Sequence, residues 1–334
     1  MPRRKERIDR PIKVLTDDIY ALSSIRNVLY IAVPRLLPSV LLLLLPILVP
    51  SPYIQRVIIL TAIYALLALS WDFLASSTGL VSLGQSLFFG VGAYVSGILN
   101  LELGLSPLPT LILSTFIGAA ICTVFLIPCL PLRGIYFAMT TLIYPLLMIR
   151  IIEATAILGG TDGMLGIAPF PNEWLEQYLV LVILLLAMFS LRRLVTTDFG
   201  IVLRAIGDND QAVKASGINI ALYKVISVYI ASAIGAFAGA YFTHLYMFVG
   251  LSAFSLELSI IPIACAVLGG MGTLAGPVLG AFILIPLGEG MREFGTLRMV
   301  FYSLFLILFV LIKPEGILSY LQRKYQQIER LVEV

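Results

Sequence analysis

Long apolar stretches are the feature that most restricts how this chain can fold. Stretches of about twenty apolar residues recur from residue 31 to residue 313, each long enough to cross a bilayer as a helix. A backbone placed in lipid must satisfy its own hydrogen bonds, and a helix does so within one segment. Only 12% of the residues are charged, against about a quarter in soluble domains. The sequence therefore predicts an all-α integral membrane protein.

Hydropathy divides the apolar region into about ten candidate transmembrane helices. The predicted spans are 31–50, 54–75, 79–100, 107–130, 134–157, 174–191, 222–248, 257–270, 273–290 and 297–313. The eighth and ninth are short, and glycines lie between and within them. This region is therefore either two tilted spans or a pair of half-helices that meet inside the protein.

The distribution of basic residues predicts the orientation in the membrane. Lysine and arginine are frequent in the N-terminal tail 1–30, in loop 192–224 and in the C-terminal tail 314–334, whereas loop 158–173 has none. The three basic segments are predicted to face the cytoplasm, with residues 31–313 as the transmembrane domain in the cytoplasmic membrane. Both tails then lie on one side, which requires an even number of crossings and favours ten spans over nine.

Several classes of function are excluded by missing patterns. The net charge of +3 comes without a basic stripe interleaved with aromatic residues, so nucleic-acid binding is not expected. Cys122, Cys129 and Cys265 lie in apolar stretches without a CxxC pair or a histidine cluster, so they are interpreted as packing residues and no metal site is expected. No phosphate-binding loop or His-Glu-x-x-His motif is found, and no catalytic residues or cofactor are predicted.

The long hydrophilic segment inside the chain runs from Arg192 to Lys224 and contains TTDFGIVLRAIGDNDQAVKASGINIALYK. Its apolar residues are spaced as in two short amphipathic helices, separated by a Gly-Asp-Asn-Asp turn. Such a helix on the membrane surface can fill a groove on another protein. From the residues alone, a simple connector between the sixth and seventh spans is an equally good interpretation.

A second group of polar residues lies at the junction of the second and third spans. Asp72 and Gln85 flank the Ser76–Gly79 stretch, and Ser82 and Ser86 add hydroxyl groups. An interrupted helix with small polar residues can expose backbone groups to a polar solute, so these four residues are candidates for a translocation path. Close helix packing is the alternative explanation for the glycines of this region.

The other polar residues within the spans have structural interpretations. Arg150 with Glu153, and Glu289 with Arg292, are spaced three apart and predict ion pairs on one helix face. His244 is predicted to form hydrogen bonds between packed helices rather than a proton relay. Small residues in the third and seventh spans predict close approach of these two helices: Gly84, Gly90, Gly92, Gly97, Gly235, Ala236, Gly239 and Ala240.

Several long motifs, in a fixed order, resemble the LivM-type permeases of branched-chain amino-acid ABC importers. Besides the segment from Arg192 to Lys224, they are GLVSLGQSLFFGVGAYVSGIL (79–99), LRGIYFAMTTLIYPLLMIRII (132–152), GGTDGMLGI (159–167), VLGGMGTLAGPVLGAF (267–282) and KPEGIL (313–318). The resemblance covers all but about the first thirty and the last fifteen residues. Gln85 fits the family pattern, whereas Asp72 stands where asparagine is common.

The resemblance implies a type II importer permease that works in a larger assembly. Its partners would be a second homologous permease, two ATPase subunits that bind the ATP, and an extracytoplasmic solute-binding protein. The cytoplasmic segment would be the coupling loop that receives the movement of the ATPases. The residues carried over to that role are Arg204, Asp208, Asn209, Asp210, Ala212 and Gly217. Leucine, isoleucine and valine would be the cargo, with urea or short-chain amides as the alternative.

Two other classes of membrane protein fit the residues less well. An ATP-independent channel or proton-coupled transporter is expected to carry a continuous polar pathway or a pair of carboxylates at mid-membrane, and charges within these spans are scarce. An intramembrane enzyme is expected to carry two aspartates in adjacent spans or a zinc-binding motif, and neither pattern occurs. A transport subunit remains the preferred interpretation.

Overall fold

The computed structural model describes residues 39–47, 51–295, 297–312 and 316–320. These residues are mainly helical. The helices are α1 (39–47), α2 (Pro52–Thr78), α3 (Gln85–Leu101), α4 (Pro107–Leu126), α5 (Ile135–Thr155), α6 (Glu173–Val195), α7 (Asp198–Ala215), α8 (Ile220–Tyr246), α9 (Glu257–Gly269), α10 (Ala275–Gly290) and α11 (Leu297–Ile312). Two short strands, β1 (Met164–Leu165) and β2 (Phe248–Val249), pair antiparallel.

Each of the helices α1–α6 and α8–α11 corresponds to one predicted span, and the largest difference in a described end is at α3, which begins at Gln85 instead of at residue 79. Within the described ranges, five helices are long and apolar enough to cross a bilayer, namely α2, α4 with its short extension to Cys129, α5, α6 and α8. The helices α3, α9 and α10 are apolar but shorter. The protein is therefore all-helical with several membrane crossings. The predicted N-terminal tail 1–30, and residues 314–315 and 321–334 of the predicted C-terminal tail, lie outside the described residues.

Helix α2 is the central helix of the fold, and nearly all of its second half is buried. Its first residue, Pro52, has no backbone N–H to satisfy, and Gly79 ends the helix in the left-handed conformation with φ of 67°. The hydroxyl of Ser70 donates to the carbonyl of Ala231 in α8 at 2.8 Å. The indole of Trp71 donates to the carbonyl of Ser82 at 2.8 Å. These bonds tie α2 to α8 and to the start of the next span.

Helices α3 and α8 pack closely through small residues, as the sequence predicts. A β-carbon added to Gly92 would overlap the backbone of Ala236, and one added to Gly239 would overlap the carbonyl of Phe89. Phe88 packs against Gly235 in the same interface. Because the backbones are this close, dispersion contacts hold the two helices together in a solvent that offers no hydrophobic driving force.

The end of α2 and the starts of α5 and α8 lie close together, next to the middle of α7. On one side, residues 78–80, 132–134 and 206–211 line a common cleft together with Lys224. At the other ends of these helices, β1 pairs with β2, and the guanidinium of Arg56 donates to the carbonyl of Leu245 at 3.3 Å. We call the first group the inner end, because the sequence predicts that it is cytoplasmic, and the second group the outer end.

Candidate functional site

The break between α2 and α3 comprises residues 79–84. It begins slightly later than the sequence suggests, because α2 continues through Ser76 and Thr78, whose hydroxyls donate to the carbonyls of Asp72 and Leu74 one turn earlier. Beyond Gly79 the chain is not helical until Gln85. The irregular segment is placed by side chains instead of by helix hydrogen bonds.

Ser82 and Thr141 hold this segment in place. The amide of Gly84 donates to the hydroxyl of Ser82 at 3.1 Å, and the amide of Leu83 donates to the hydroxyl of Thr141 in α5 at 3.1 Å. A β-carbon on Gly84 would overlap the carbonyl of Thr141, so the segment lies directly against α5. The hydroxyl of Ser82 thus satisfies a backbone donor, as irregular backbone within a membrane protein requires.

Gln85 and Ser86 begin α3, and both are fully buried. The hydroxyl of Ser86 lies 2.9 Å from that of Ser259 in α9, and the amide of Ser86 donates to the same Ser259 oxygen at 3.0 Å. Gln85 differs sharply, since neither its Nε2 nor its Oε1 has a partner among the described residues. A buried amide without partners costs about 1–3 kcal/mol. The side chain is therefore free to bond to a group outside the chain.

Asp72 is also fully buried, but both of its carboxylate oxygens are occupied. One accepts from the amide of Gly272 at 2.7 Å, and the other accepts from the amide of Leu274 at 3.3 Å. These two amides belong to the loop between α9 and α10. Of the four candidate path residues, Ser82, Gln85 and Ser86 lie together around the start of α3, whereas Asp72 contacts this loop.

Helix α7 forms most of the predicted coupling loop 192–224. It consists of two helical halves that meet at Asn209, where φ is −155° and ψ is 94°. The side chain of Asn209 accepts a hydrogen bond from the amide of Ala212 at 3.2 Å, which is the geometry of a helix N-cap. The two short helices expected from the sequence are present, and the break falls inside the predicted Gly-Asp-Asn-Asp turn.

One face of α7 is buried, and the opposite face is exposed. The buried residues are Gly200, Leu203, Ile206 and Val213. The exposed residues include Arg204, Asp208, Asn209, Ala212 and Gly217, and Asp210 is half-buried. The charged and small residues carried over from the family resemblance thus lie mainly on the outside of α7, where another protein can reach them.

Two contacts connect the break of α7 to the rest of the inner end. A β-carbon added to Gly79 would lie 3.5 Å from the Cα of Gly207, so the break lies directly on the end of α2. The guanidinium of Arg133, in the loop before α5, forms an ion pair with Asp210 at 2.9 Å. These contacts surround the shared cleft, which has a volume of about 340 Å³. Through these contacts α7 touches both the end of α2 and the loop that leads into α5.

The structure confirms the ion pairs and the hydrogen bonds between helices that were predicted for the remaining polar residues. Arg150 pairs with Glu153 at 2.8 Å, and Arg292 pairs with Glu289 at 3.6 Å. The imidazole of His244 bonds to the hydroxyl of Ser96 at 3.1 Å and to the carbonyl of Ala168 at 2.7 Å. His244 therefore joins α8 to α3 and to the segment between β1 and α6.

Sequence reasoning missed three residues that shape this region. Ser259 is a lone serine in an apolar helix, Thr141 is one of three threonines in α5, and Arg133 follows a proline-containing loop. No local pattern distinguishes them, since each is recognised only by its partner more than 50 positions away in the chain. Position 133 is part of a motif that carried the resemblance, but the motif did not indicate an ion pair.

Most of the chain matches one protein family. The family model described as "Branched-chain amino acid transport system / permease component" matches residues 53–312. The chain belongs to this permease family. The match begins with α2 and ends with α11, so it covers the candidate path and α7 in a single domain.

Curated relatives agree with the family. The chain is 28% identical over 290 residues to the high-affinity branched-chain amino acid transport system permease protein LivM of Escherichia coli, which covers 78% of this chain and 68% of the relative. It is also 28% identical over 221 residues to the probable LivM of Methanocaldococcus jannaschii, covering 60% of this chain and 64% of that protein.

A third relative is named for a different cargo. The autoinducer 2 import system permease protein LsrC of Photorhabdus luminescens is 30% identical over 255 residues, covering 71% of each chain. No solved structure matches the sequence. Together, the relatives and the apolar helices establish that this member of the permease family is a multi-pass membrane transport subunit and not an enzyme.

Proposed function

We propose that the chain is the membrane-spanning subunit of an ABC importer that carries branched-chain amino acids. It would pair with a second homologous permease, receive leucine, isoleucine or valine from an extracytoplasmic binding protein, and be driven by two ATPase subunits that bind the ATP. The observation that carries the proposal is the family match over residues 53–312, which contains the candidate path and α7 together. Both tails would face the cytoplasm.

The exposed face of α7 is the proposed contact with the ATPases. Its buried face rests on the bundle, and its break at Asn209 lies against the end of α2 at Gly79. Closure of an ATPase dimer would displace α7, and the rigid helices attached to it would move with it. The ion pair between Arg133 and Asp210 would pass part of this movement to α5. The permease itself would need no chemical step.

The proposed translocation path runs past the start of α3. Gln85 supports it best, because a fully buried amide without a partner among the described residues is positioned to bond to water or to a passing solute. Ser82 and Ser86 would border the path through hydroxyls that already satisfy the irregular backbone and Ser259. Asp72, in α2, would shape the wall of the path by binding the amides of the α9–α10 loop. A translocation path must release its cargo, so it should form only weak contacts with the solute.

Replacing Gln85 by leucine separates a role in transport from a role in folding. Leucine has a similar size and removes the two unsatisfied polar atoms, so the free energy of unfolding should be unchanged or rise by about 1–3 kcal/mol. Uptake should nevertheless fall severalfold, since the side-chain amide that has no partner among the described residues is lost. Thermal unfolding of the purified protein and uptake by the reconstituted complex measure the two effects.

Gln177→Leu is the matched control for Gln85→Leu. It makes the same substitution at a buried glutamine of α6, outside the proposed path, whose Nε2 donates to Oε1 of Gln55 at 2.8 Å. We expect this change to lower stability slightly, because a partly buried hydrogen bond is lost, and to leave uptake largely intact. Wild-type uptake by Gln85→Leu would remove Gln85 from the proposed path.

The cargo is tested by reconstitution with the partner subunits in proteoliposomes. ATP-dependent accumulation of labelled leucine, isoleucine and valine is expected, and unlabelled valine should compete with labelled leucine. Urea is the control solute, because similar permeases in urea import are the alternative interpretation. Accumulation of urea without that of any branched-chain amino acid would overturn the proposed cargo while leaving the importer architecture in place.

Autoinducer 2 is a second cargo worth measuring in the same vesicles. The specific observation in its favour is the 30% identity to an LsrC permease over 255 residues. The match to the LivM of Escherichia coli covers more of this chain, 78% against 71%, and the family model is described by branched-chain amino acid transport, so amino acids are the favoured cargo. Competition between leucine and autoinducer 2 for uptake would show directly which cargo the assembled importer prefers.

A further inference from the structure

The loop between α9 and α10 has an unusual backbone. Gly270, Gly272 and Leu274 have positive φ angles of 114°, 80° and 57°, whereas Met271 and Thr273 between them do not. A backbone that alternates in handedness from one residue to the next turns successive N–H groups toward one side and forms a concave anion-binding site. The loop therefore presents a partial positive charge without using a basic side chain.

The carboxylate of Asp72 occupies this concave site. It accepts from the amides of Gly272 and Leu274, 200 and 202 positions away in the chain. Asp72 is fully buried, and no ion pair with it is found among the described residues. Its charge is thus stabilised by backbone dipoles, and conversely the two N–H groups have this carboxylate as their acceptor. Removal of the Asp72 carboxylate would therefore leave the amides of Gly272 and Leu274 without this acceptor.

The backbone conformation of Leu274 shows that the α9–α10 loop needs contacts with its surroundings to keep its shape. It is a non-glycine residue at φ of 57° and ψ of −36°, a combination that persists only when the surroundings enforce it. Thr273 contributes by donating to the carbonyl of Gly270 at 2.8 Å and accepting from the amide of Gly276 at 2.9 Å. Both of these bonds are local, so within the described part of the chain Asp72 alone accepts hydrogen bonds from this loop's N–H groups on behalf of a helix other than α9 and α10.

Asp72 lies near the same end of α2 that the break of α7 contacts. Asp72 lies seven residues before Gly79, which is about two helical turns or 10 Å. Gly79 in turn lies directly on Gly207 of α7. A rigid helix end therefore connects the exposed segment at the inner end to the α9–α10 loop.

We propose that Asp72 is a positioning residue whose carboxylate holds the α9–α10 loop in its anion-binding conformation and links that loop, through α2, to the break of α7. Asp72 does not contact the solute. The loop-holding role stands on the described contacts alone, and the link to transport rests on the function proposed above.

Rescue by a small carboxylate tests the loop-holding role. Asp72→Ala should lower the thermal unfolding temperature of the purified permease, because the amides of Gly272 and Leu274 lose their acceptor. Sodium formate should restore much of that loss, since Ser76 and Gly272 are exposed and leave the site accessible. Formamide, which has the same shape but no charge, should not. Glu153→Ala, which removes a surface carboxylate, should show no response specific to formate.

Reconstituted complexes test the link to transport. Asp72→Ala should reduce ATP-driven uptake by roughly tenfold, and formate but not formamide should restore it. ATP hydrolysis should persist, so that the ratio of uptake to hydrolysis falls. If Asp72→Ala does not fold, Asp72→Asn replaces it. Asparagine keeps one acceptor and should lower the unfolding temperature relative to the wild type.

The possible outcomes separate this proposal from the proposed function. Equal responses to formate and formamide, or Asp72→Asn as stable as the wild type, would overturn the loop-holding role even in an actively transporting complex. Rescue of the unfolding temperature while the wild type transports no amino acid would instead contradict the proposed cargo and leave the role of Asp72 standing. If the wild-type complex transports, and formate restores the stability of Asp72→Ala but not its uptake, the link to α7 would be overturned.

Discussion

Leucine at both positions 208 and 209 is expected to reduce ATP-driven uptake to less than about a tenth and to release the ATPase subunits during purification. Loss of the Asn209 cap costs about 1 kcal/mol and unwinds the second half of α7. Loss of the Asp208 charge and the addition of two exposed apolar side chains change the surface proposed to meet the ATPases. Uptake and the ATPase content of the affinity-purified complex are the measurements.

A matched control changes the same residue types at the outer end. Asp162 is exposed, and Asn172 caps α6 by accepting from the amide of Trp174, as Asn209 caps the second half of α7. Leucine at positions 162 and 172 should leave the ATPases attached. If the 208 and 209 variant transports at the wild-type rate with its ATPases bound, α7 is not the coupling segment.

Gly239→Ala is expected to destabilise the protein severely. The added β-carbon would overlap the backbone carbonyl of Phe89, and neither backbone can move without separating α3 from α8. Overpacking of this kind typically costs about 1–3 kcal/mol, and overlap with backbone lies at the upper end of that range. A lower unfolding temperature in detergent and reduced yield of folded protein in membranes would be observed, and transport would fall with the amount of folded protein.

Gly290→Ala is the matched control because it makes the same substitution at the end of another apolar helix. A β-carbon there would meet no atom within 4 Å, and φ is not positive. Alanine is the better helix former, so stability should stay the same or rise by up to about 1 kcal/mol. Similar losses for the two variants would mean that the close approach of α3 and α8 does not limit stability.

The spans were predictable because membrane insertion depends on a local property. An apolar stretch of about twenty residues forms a helix in lipid whatever its neighbours are. The helices α4, α5 and α6 therefore begin within one residue of the predicted positions. The pairs of residues three apart, such as Arg150 and Glu153, were predictable for the same reason, since helix geometry alone brings them together.

The candidate site was predictable only in part. Residue types and the resemblance selected Asp72, Ser82, Gln85 and Ser86, and three of them lie around the start of α3. Their individual situations were not predictable, because Ser86 is satisfied by Ser259, whereas Gln85 has no partner among the described residues. Which polar atoms stay unpaired depends on how helices from distant parts of the chain pack.

The sequence by itself determined that this chain forms apolar helices and to which family it belongs, and it predicted that the basic segments lie on one side of the membrane. These properties follow from hydropathy, charge and motifs that can be read over a few residues at a time. Only the tertiary structure decided that Asp72 meets the amides of a loop 200 positions away and that Gly207 lies on the end of α2. Such contacts arise when distant helices pack, and no local pattern in the chain encodes them.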